Sequence, residues 1–565
     1  MCLFFYDMAI IQTLIDCVGV CAEKGIENVI LCPGSRNAAL IVAFEQNPKV
    51  KCFSISDERT AAFIAIGIAL ATKKTVAIVC TSGTAALNFI PAAAEATLQE
   101  IPLLILTADR PPEWINQYDG QTVFQNDAFG RHVKRTFALL PDYEKPDVNW
   151  FANRVFNEAI NISQQPPLGP VQINIPIREP FYPVDNEIVK STQSVHIISD
   201  ALIKKSIDEK LAKILVTEIE NSVAVWIVVG QQNDVELDFA FTAIKKLPNV
   251  LIIGDVISNV RSDIDSQDIL FKHQDFGTKP DLLITCGKSL IAKSLKLFLR
   301  KSKVHNHWHI QESETIRDPY QSVSKLFNIN PTDFFNSLHF ASNSFQRKSE
   351  SVTQLLKHDR KVITALISKV QNLTFSDIYC ANAIVSSIKE NSVLHLGNSL
   401  SVRYIDLLKY KVRSRNILVE CNRGTSGIEG TLSTAVGYAM STDKIVYCLI
   451  GDVSFQYDKN ALWHNYIPDN LKIIILNNGG GNIFRMIPGP KNQPAYKEFF
   501  ETEQLHSAEK IAEHYKVDYL AINSISTTSE VSTFLENQGC SIIEFFTEPK
   551  ENERTFKELM NIKVS

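Results

Sequence analysis

Short apolar runs alternate with helix-like segments along almost the whole chain, and this alternation constrains the fold more than any other feature. The first third contains four strand candidates, NVILC (28–32), TVAIVC (75–80), LLILT (103–107) and GPVQINI (169–175). Helical patterns at 59–72 and 84–98 lie between them. Strand–helix alternation of this kind predicts parallel sheets with helices on both faces. We therefore expect an α/β protein built from doubly wound parallel sheets.

The alternation falls into three sets, which predicts three domains of similar size. A second set of strand candidates covers 223–230, 249–255, 281–287 and 304–310, and a third covers 392–399, 416–420, 444–452, 471–478 and 540–546. Polar stretches near 180–200 and 341–360 look like connecting segments. A chain of 565 residues is also too long for a single core. We predict domains at 1–182, 198–342 and 358–565.

Composition excludes several classes of function. The net charge of −5 is mild and argues against non-specific binding to nucleic acid. The eleven cysteines are scattered, without a disulfide framework or paired zinc-ligand spacing. The N-terminus has no basic region of the signal-peptide type, and the longest apolar stretch, 60–72, is too short to span a bilayer. We expect a soluble cytoplasmic protein without a membrane span.

Polar side chains follow two neighbouring strand candidates in the third set. Asp452 ends KIVYCLIGD, and Asn477 and Asn478 end LKIIILNN, directly before the glycines at 479–481. Ligands of parallel α/β sheets bind at the carboxyl ends of the strands, and oxygen donors of this kind suit Mg²⁺ bound together with phosphate oxygens. The pattern predicts a metal–diphosphate site. The competing interpretation is a helix cap at Asp452 and a turn at the asparagines.

This pattern resembles the thiamine diphosphate (ThDP) enzyme superfamily, whose signature is Gly-Asp followed, 25 to 30 residues later, by Asn-Asn. Asp452 and Asn478 are 26 residues apart, although Val453 stands where the family usually has glycine. The resemblance implies pyrimidine-binding, central and diphosphate-binding domains, with Asp452, Asn478 and the carbonyl of Gly480 on Mg²⁺ or Mn²⁺. It assigns to Glu58, in SISDERTAAF, the carboxyl group that bonds the cofactor's aminopyrimidine ring. From the residues alone, the competing interpretation of Glu58 is a helix N-terminal carboxylate.

The chain also contains the motifs CPGSRNAAL, TSGTAALN, TADRPPEW, LGNSLSVR, NRGTSGIEG and NNGGGNIF. These motifs are similar to those of one family, the 2-succinyl-5-enolpyruvyl-6-hydroxy-3-cyclohexene-1-carboxylate synthases of menaquinone biosynthesis. The resemblance implies a transferase that decarboxylates 2-oxoglutarate on ThDP and adds the remaining four-carbon carbanion to isochorismate by conjugate addition. It also implies a homodimer, or a dimer of such dimers, in which Glu58 and the metal site meet across the subunit interface.

Two dicarboxylate substrates call for arginines that bind carboxylates through paired hydrogen bonds. The resemblance places substrate contacts at Ser35, Arg36, Arg110, Gln121, Lys293, Ser399, Arg403, Arg423, Ile483 and Phe484. It gives Ile428 the role of holding the cofactor in its bent form. Ser294 stands where the family has a second basic residue, so the central domain's contribution to substrate binding departs from the family pattern.

Other functions stay open on the sequence. A different ThDP enzyme, such as an acetolactate-type synthase or a 2-oxoacid decarboxylase, shares Glu58, Asp452 and Asn478 but does not need the arginines. A non-catalytic ThDP-fold protein is expected to lack some of these residues. The alternating histidines His305, His307 and His309 are of a type that binds zinc, but no further ligand follows at a telling spacing.

Overall fold

The computed structural model describes residues 11–179, 190–191, 195–201, 203–273, 279–339 and 349–564. The described chain forms two compact units. The first comprises the described residues up to 201 with Gly424–Asp443 and Tyr457–Leu471, and the second comprises the remainder. The domain limits predicted at 182 and 342, and most of the predicted 180–200 connection, lie outside the described residues.

The first unit contains a six-stranded parallel sheet in the order β2-β1-β3-β4-β6-β5. The strands are β1 Asn28–Leu31, β2 Lys51–Ser54, β3 Val76–Cys80, β4 Leu103–Asp109, β5 Thr136–Ala138 and β6 Val171–Pro176. The helices of this stretch are α1 Gln12–Glu23, α2 Ala38–Glu45, α3 Glu58–Thr72, α4 Thr84–Asn88, α5 Ile90–Gln99 and α6 Pro146–Gln164. The helix predicted at 84–98 is thus divided into α4 and α5, with Pro91 in the first turn of α5.

The second unit contains a five-stranded parallel sheet in the order β11-β10-β9-β7-β8. The strands are β7 Val225–Val229, β8 Val250–Gly254, β9 Leu282–Cys286, β10 Asn306–Gln311 and β11 Lys325–Asn328. The helices are α7 Glu209–Asn221, α8 Glu236–Ala240, α9 Gln267–His273, α10 Lys293–Ser302 and α11 Pro331–Asn336.

A third, six-stranded sheet follows in the order β13-β12-β14-β15-β17-β16, which repeats the order of the first sheet. Its strands are β12 Val393–Leu396, β13 Leu418–Cys421, β14 Val446–Gly451, β15 Leu471–Asn477, β16 Asp518–Ile522 and β17 Ser541–Phe546. The helices are α12 Glu350–Gln371, α13 Asp377–Ser387, α14 Ser401–Leu407, α15 Lys409–Ser414, α16 Thr431–Ala439, α17 Asp452–Asp458, α18 Ile483–Met486, α19 Glu509–Tyr515, α20 Glu530–Glu536 and α21 Pro549–Met560. The predicted three-sheet α/β fold is confirmed.

One prediction about the connecting regions needs correction. A connecting segment was predicted at 341–360, and this prediction is wrong for its second half, because α12 begins at Glu350 and runs for 22 residues. Residues 341–348 lie outside the described chain. Val352, Leu355, Val362 and Leu366 are buried along one face of α12, so the segment is an amphipathic helix and not a linker.

The order of the strands indicates where ligands can bind in the first and third sheets. In the first sheet the strand order reverses between β1 and β3, and in the third it reverses between β12 and β14. The crevice outside the carboxyl ends of the strands at such a point is the usual ligand site of open α/β sheets. The loops after β1, β12 and β14 carry predicted site residues.

Within the first unit, α3 and α16 touch backbone to backbone through two glycines. A Cβ on Gly67 would lie 2.0 Å from the carbonyl oxygen of Thr434, and a Cβ on Gly437 would lie 2.0 Å from the carbonyl oxygen of Ile64. Any side chain at these positions must push the two helices apart, since backbone atoms cannot rotate away.

We expect Gly67→Ala to destabilise the protein by about 2–3 kcal/mol, despite the better helix propensity of alanine. The midpoint of thermal unfolding should fall by roughly 5 °C or more in scans at one heating rate. Gly120→Ala is the matched control, because nothing lies within 4 Å of a Cβ there. Equal midpoints for the two variants would show that the helices are not in close contact in solution.

Candidate functional site

Glu58 lies at the carboxyl edge of the first sheet, as the first residue of α3. The carboxylate of Asp57 caps this helix by accepting from the Thr60 N–H at 3.1 Å, and its second oxygen accepts from Asn460 Nδ2 at 2.7 Å. Burial raises the pKa of Glu58. Burial also raises the pKa of the Cys80 thiol at the end of β3, and the charge of Glu58 raises it further. Glu58 therefore stands at a capped helix N-terminus, where burial raises the pKa of its carboxyl group.

Arg36 and Arg110 are neighbours at the same edge. Arg36 is buried and its Nη1 donates to the carbonyl oxygen of Ile177 at 2.9 Å. Arg110 lies just past β4, and its Nη1 is 2.7 Å from Asp119 Oδ2. Burial lowers the pKa of Arg36, and the positive charge of Arg110 lowers it further. Two like charges held this close are suited to bind an anion.

Ser35 and Gln121 are both exposed beside these arginines. Gln121 has a φ of +56°, a conformation that a non-glycine residue adopts only where its surroundings impose it. Its α-carbon lies against Gly83 in the loop after β3. The structure therefore brings Ser35, Arg36, Glu58, Arg110 and Gln121 to one edge of one sheet.

Ile428 stands half-exposed in the loop before α16, also in the first unit. This loop is fixed by Glu95, a fully buried carboxylate on α5 that we did not predict. Glu95 accepts from the Gly424 N–H at 2.9 Å and from the N–H and hydroxyl of Thr425, both at 2.6 Å. A glutamate in an otherwise alanine-rich helix is the sequence signal that indicates such a role.

Arg403 and Arg423 form a second cationic pair, in the second unit. Arg423 Nη1 donates to Asn398 Oδ1 at 3.1 Å, whereas its buried Nε has no hydrogen-bond partner. Arg403 Nη1 donates to the carbonyl oxygen of Ser399, which adopts a φ of +68°. Burial lowers the pKa of Arg403, and Arg423 lowers it further. An anionic ligand would offset this repulsion.

Helix α10, which also carries the predicted Lys293, brings Lys296 close to this arginine pair. Lys293 begins α10 and is exposed, and the Ser294 N–H donates to Asp268 Oδ1 at 2.8 Å. Lys296, one turn later, is half-buried, and its pKa is lowered by burial and then by Arg423, with a smaller effect from Arg403. Sequence reasoning missed Lys296, although its spacing from Lys293 places both lysines on one side of α10.

Asp452 and Asn478 end adjacent strands of the third sheet and are both buried. The backbone N–H groups of Val453 and Gly480 donate to the Asp452 carboxylate, so the two loops meet. Burial nevertheless raises the pKa of Asp452 to about 7. The amide oxygen of Asn478 is buried and has no hydrogen-bond partner. A buried carboxylate and a buried, unpartnered amide oxygen at the ends of adjacent strands fit a hard divalent cation.

Gly480 permits the close approach of this loop to the rest of the site. Its φ is +144°, and a Cβ there would lie 2.4 Å from the carbonyl oxygen of Glu501. Ile483 and Phe484 follow at the start of α18 and are half-buried. Ile483 packs on the hydrophobic core, and Phe484 makes an edge-to-face contact with Phe500. A cavity of about 420 Å³ lies next to Asn478 at the ends of β15 and β17.

The histidines of the HNHWH segment do not form a metal site among the described residues. His307 and His309 lie in β10, whereas His305 precedes the strand. Thr285 Oγ1 is 2.8 Å from His307 Nε2 and 2.8 Å from His309 Nδ1. Burial lowers the pKa of His307 to about 4 and also lowers the pKa of His309, and the pair is a buried, hydrogen-bonded part of the core.

Comparison with known proteins agrees with this geometry. Residues 16–130 match the N-terminal TPP binding domain of thiamine pyrophosphate enzymes, residues 226–396 match their middle domain, and residues 403–545 match their C-terminal TPP binding domain. The chain therefore contains the thiamine diphosphate-binding domains that the sequence predicts. No helix in the described part of the chain is long and apolar enough to cross a bilayer.

Relatives that match over nearly their whole length identify one family within the thiamine diphosphate enzymes. The chain is 37% identical to a 2-succinyl-5-enolpyruvyl-6-hydroxy-3-cyclohexene-1-carboxylate synthase of Cytophaga hutchinsonii, over 97% of this chain and 98% of that protein. It is 36% identical to the synthase of Flavobacterium johnsoniae, over 99% and 100% of the two chains. The synthase of Bacteroides thetaiotaomicron is 33% identical, over 97% and 98%. The chain thus belongs to the 2-succinyl-5-enolpyruvyl-6-hydroxy-3-cyclohexene-1-carboxylate synthases, a family of thiamine diphosphate-dependent enzymes.

Proposed function

We propose that the chain removes CO₂ from 2-oxoglutarate and joins the remaining four-carbon unit to isochorismate, in menaquinone biosynthesis. The observation that carries this proposal is the presence of two separate arginine pairs, Arg36 with Arg110 and Arg403 with Arg423, each with mutually repelling charges. Two dicarboxylate substrates require two such binding regions. The printed names of the full-length relatives support the same reaction.

We propose that Mg²⁺, or Mn²⁺ in its place, is held by Asp452, Asn478 and the backbone carbonyl of Gly480. The buried carboxylate and the unpartnered amide oxygen of Asn478 support this ligand set. Mg²⁺ keeps several positions for water and substrate phosphates, and here the diphosphate of the cofactor would take some of them. Asp452 and Asn478 thereby orient the diphosphate end of the cofactor.

Glu58 is proposed to hydrogen-bond the pyrimidine ring, and Ile428 to support the cofactor's bent form. When bound, the cofactor supplies a carbon nucleophile that attacks the keto group of the substrate. The partly buried carboxyl of Glu58 donates or receives the proton at its own oxygen, because its surroundings raise its pKa.

The substrate contacts are proposed in two groups. Ser399, Arg403 and Arg423 bind the carboxylate of the 2-oxoglutarate chain, with Lys293 and Lys296 contributing positive charge from α10. Ser35, Arg36, Arg110 and Gln121 bind carboxylates at the edge of the first sheet. Ile483 and Phe484 shape the apolar wall.

The remaining features of the proposal concern the whole molecule. We propose domains at 1–182, 198–342 and 358–565, and a homodimer or a dimer of such dimers, because the family resemblance implies both. A cytoplasmic location is supported by the cysteines, because Cys17, Cys21, Cys80 and Cys286 in the described chain are free thiols.

We expect Arg403→Ala to raise the KM for 2-oxoglutarate roughly 10- to 100-fold, because the variant loses a pair of charge-assisted hydrogen bonds to that substrate. The KM for isochorismate should change much less. Initial rates at varied concentration of each substrate measure the two values. Arg554→Ala, which removes an exposed arginine from α21 in the same unit, should change neither. Equal increases for both substrates would show that Arg403 serves both binding regions.

The reaction itself is tested by giving purified protein, ThDP and Mg²⁺ either 2-oxoglutarate alone or 2-oxoglutarate with isochorismate. Isochorismate absorbance and CO₂ release are followed together. We expect isochorismate to be consumed one-for-one with CO₂. CO₂ release from 2-oxoglutarate or pyruvate with isochorismate untouched would instead indicate a 2-oxoacid decarboxylase or acetolactate-type synthase.

A further inference from the structure

The side chain of Asn478 is held by a carboxylate that no motif includes. Asn478 Nδ2 donates to Asp377 Oδ2 at 2.8 Å. Asp377 is the first residue of α13 and is completely buried, 101 positions from Asn478 in the chain. The bond therefore joins the start of one helix to the loop that follows β15.

This contact fixes the orientation of the Asn478 side-chain amide. A carboxylate accepts hydrogen bonds and has no proton to donate when ionised, so only the amide NH₂ can face it. The other end, Asn478 Oδ1, is then left buried and without a partner. Rotating the amide by half a turn would place its oxygen against Asp377 Oδ2, which costs the hydrogen bond and adds repulsion.

Asp377 is itself firmly anchored. Its Oδ1 accepts from the Thr547 hydroxyl at 2.5 Å, and the Tyr404 hydroxyl donates to Oδ2 at a longer 3.3 Å. Its backbone N–H donates to Asn552 Oδ1 at 2.7 Å, and Asn552 Nδ2 donates in turn to the Thr547 hydroxyl at 2.9 Å. A carboxylate at a helix N-terminus is also favoured by the helix dipole. The group that orients Asn478 thus has little freedom to turn.

We propose that Asp377 is a positioning residue for the metal ion: it locks the Asn478 amide so that Oδ1 points to the cation. The inference rests on the proposed metal site at Asp452, Asn478 and Gly480. Partners of this kind, bonded to a ligand and not to the metal, typically change metal affinity by 10- to 100-fold when removed. The competing role for Asp377 is purely structural, joining α13 to the ends of β15 and β17.

The test is the affinity for Mn²⁺, measured by electron paramagnetic resonance of free Mn²⁺ in titrations of the full-length protein with ThDP present. In Asp377→Asn the new amide can offer Asn478 either end, so the orientation is no longer fixed. We expect the Kd for Mn²⁺ to rise roughly 10- to 100-fold and activity to recover at high Mg²⁺. Asp359→Asn is the matched control, since Asp359 is a buried aspartate of the same unit that accepts from Ser266 and Asp265. It should lower thermal stability without changing the Kd.

A second variant separates positioning from folding. In the double variant Asp377→Asn with Asn478→Asp, the amide and the carboxylate exchange places, so the hydrogen bond and the total charge are both kept. We expect it to bind Mn²⁺ more tightly than Asp377→Asn alone when both are folded, and where the single variant folds poorly the Kd of the double variant is compared with that of the wild type. An unchanged Kd in folded Asp377→Asn, or no rescue by the exchange, would overturn the positioning role. A wild-type protein that binds no Mn²⁺ would overturn the metal site together with it.

Discussion

Replacing Glu58 with glutamine is expected to lower kcat by about 10³-fold while leaving the fold intact. Glutamine preserves the size and one hydrogen-bonding oxygen of the side chain, but it cannot take up or release the proton that the carboxyl group holds. Partial burial raises the pKa of Glu58, which suits a carboxyl group that takes up and releases a proton. The coupled assay of CO₂ release and isochorismate consumption measures kcat, and circular dichroism checks the fold.

The competing role for Glu58 is a carboxylate that merely favours the helix N-terminus. Glu350→Gln provides the comparison, because Glu350 is also the first residue of its helix and follows a capping side chain, Ser349. Loss of charge at such a position costs only about 0.3–1 kcal/mol of stability and no activity. If Glu58→Gln retained near-normal turnover and behaved like Glu350→Gln, the mechanism assigned to Glu58 would be wrong.

The interior strands and two of the six edge strands were predictable from sequence, and the other four edge strands were not. Every predicted strand corresponds to an observed one. The four strands without a prediction are β2, β5, β11 and β16, and each lies at the end of its sheet. An interior strand of a parallel sheet is covered on both faces and reads as a continuous apolar run, as in Val76–Cys80. An edge strand such as Lys325–Asn328 is partly exposed and carries no such run.

The candidate site was predictable in part, for a different physical reason. Asp452 and Asn478 follow apolar strands directly, and Arg36 follows one within five residues, so their place at a sheet edge can be inferred from the chain alone. Glu95, Lys296 and Asp377 act through partners that are distant in sequence, and the local sequence does not identify those partners: Glu95 contacts residues more than 300 positions away. Their function depends on how helices pack, which periodicity does not specify.

The alanine variant of Asp452 is expected to show the second large effect, loss of metal-dependent cofactor binding. It removes a proposed direct ligand, so the Kd for Mn²⁺ with ThDP present should rise by more than the roughly 10- to 100-fold expected for a positioning residue, and activity should fall to background.

Because the carboxylate of Asp452 also accepts from the backbone N–H groups of Val453 and Gly480, thermal midpoints must be compared at the same time. Asp458→Ala is the control for losing a buried aspartate of α17: its carboxylate accepts from the N–H and hydroxyl of Ser433 at 2.8 and 2.7 Å. We expect that variant to lose stability but to keep its affinity for Mn²⁺ whenever it is folded. Tight Mn²⁺ binding by folded Asp452→Ala would instead show that Asp452 is a helix cap and not a metal ligand, and that other residues bind the cation.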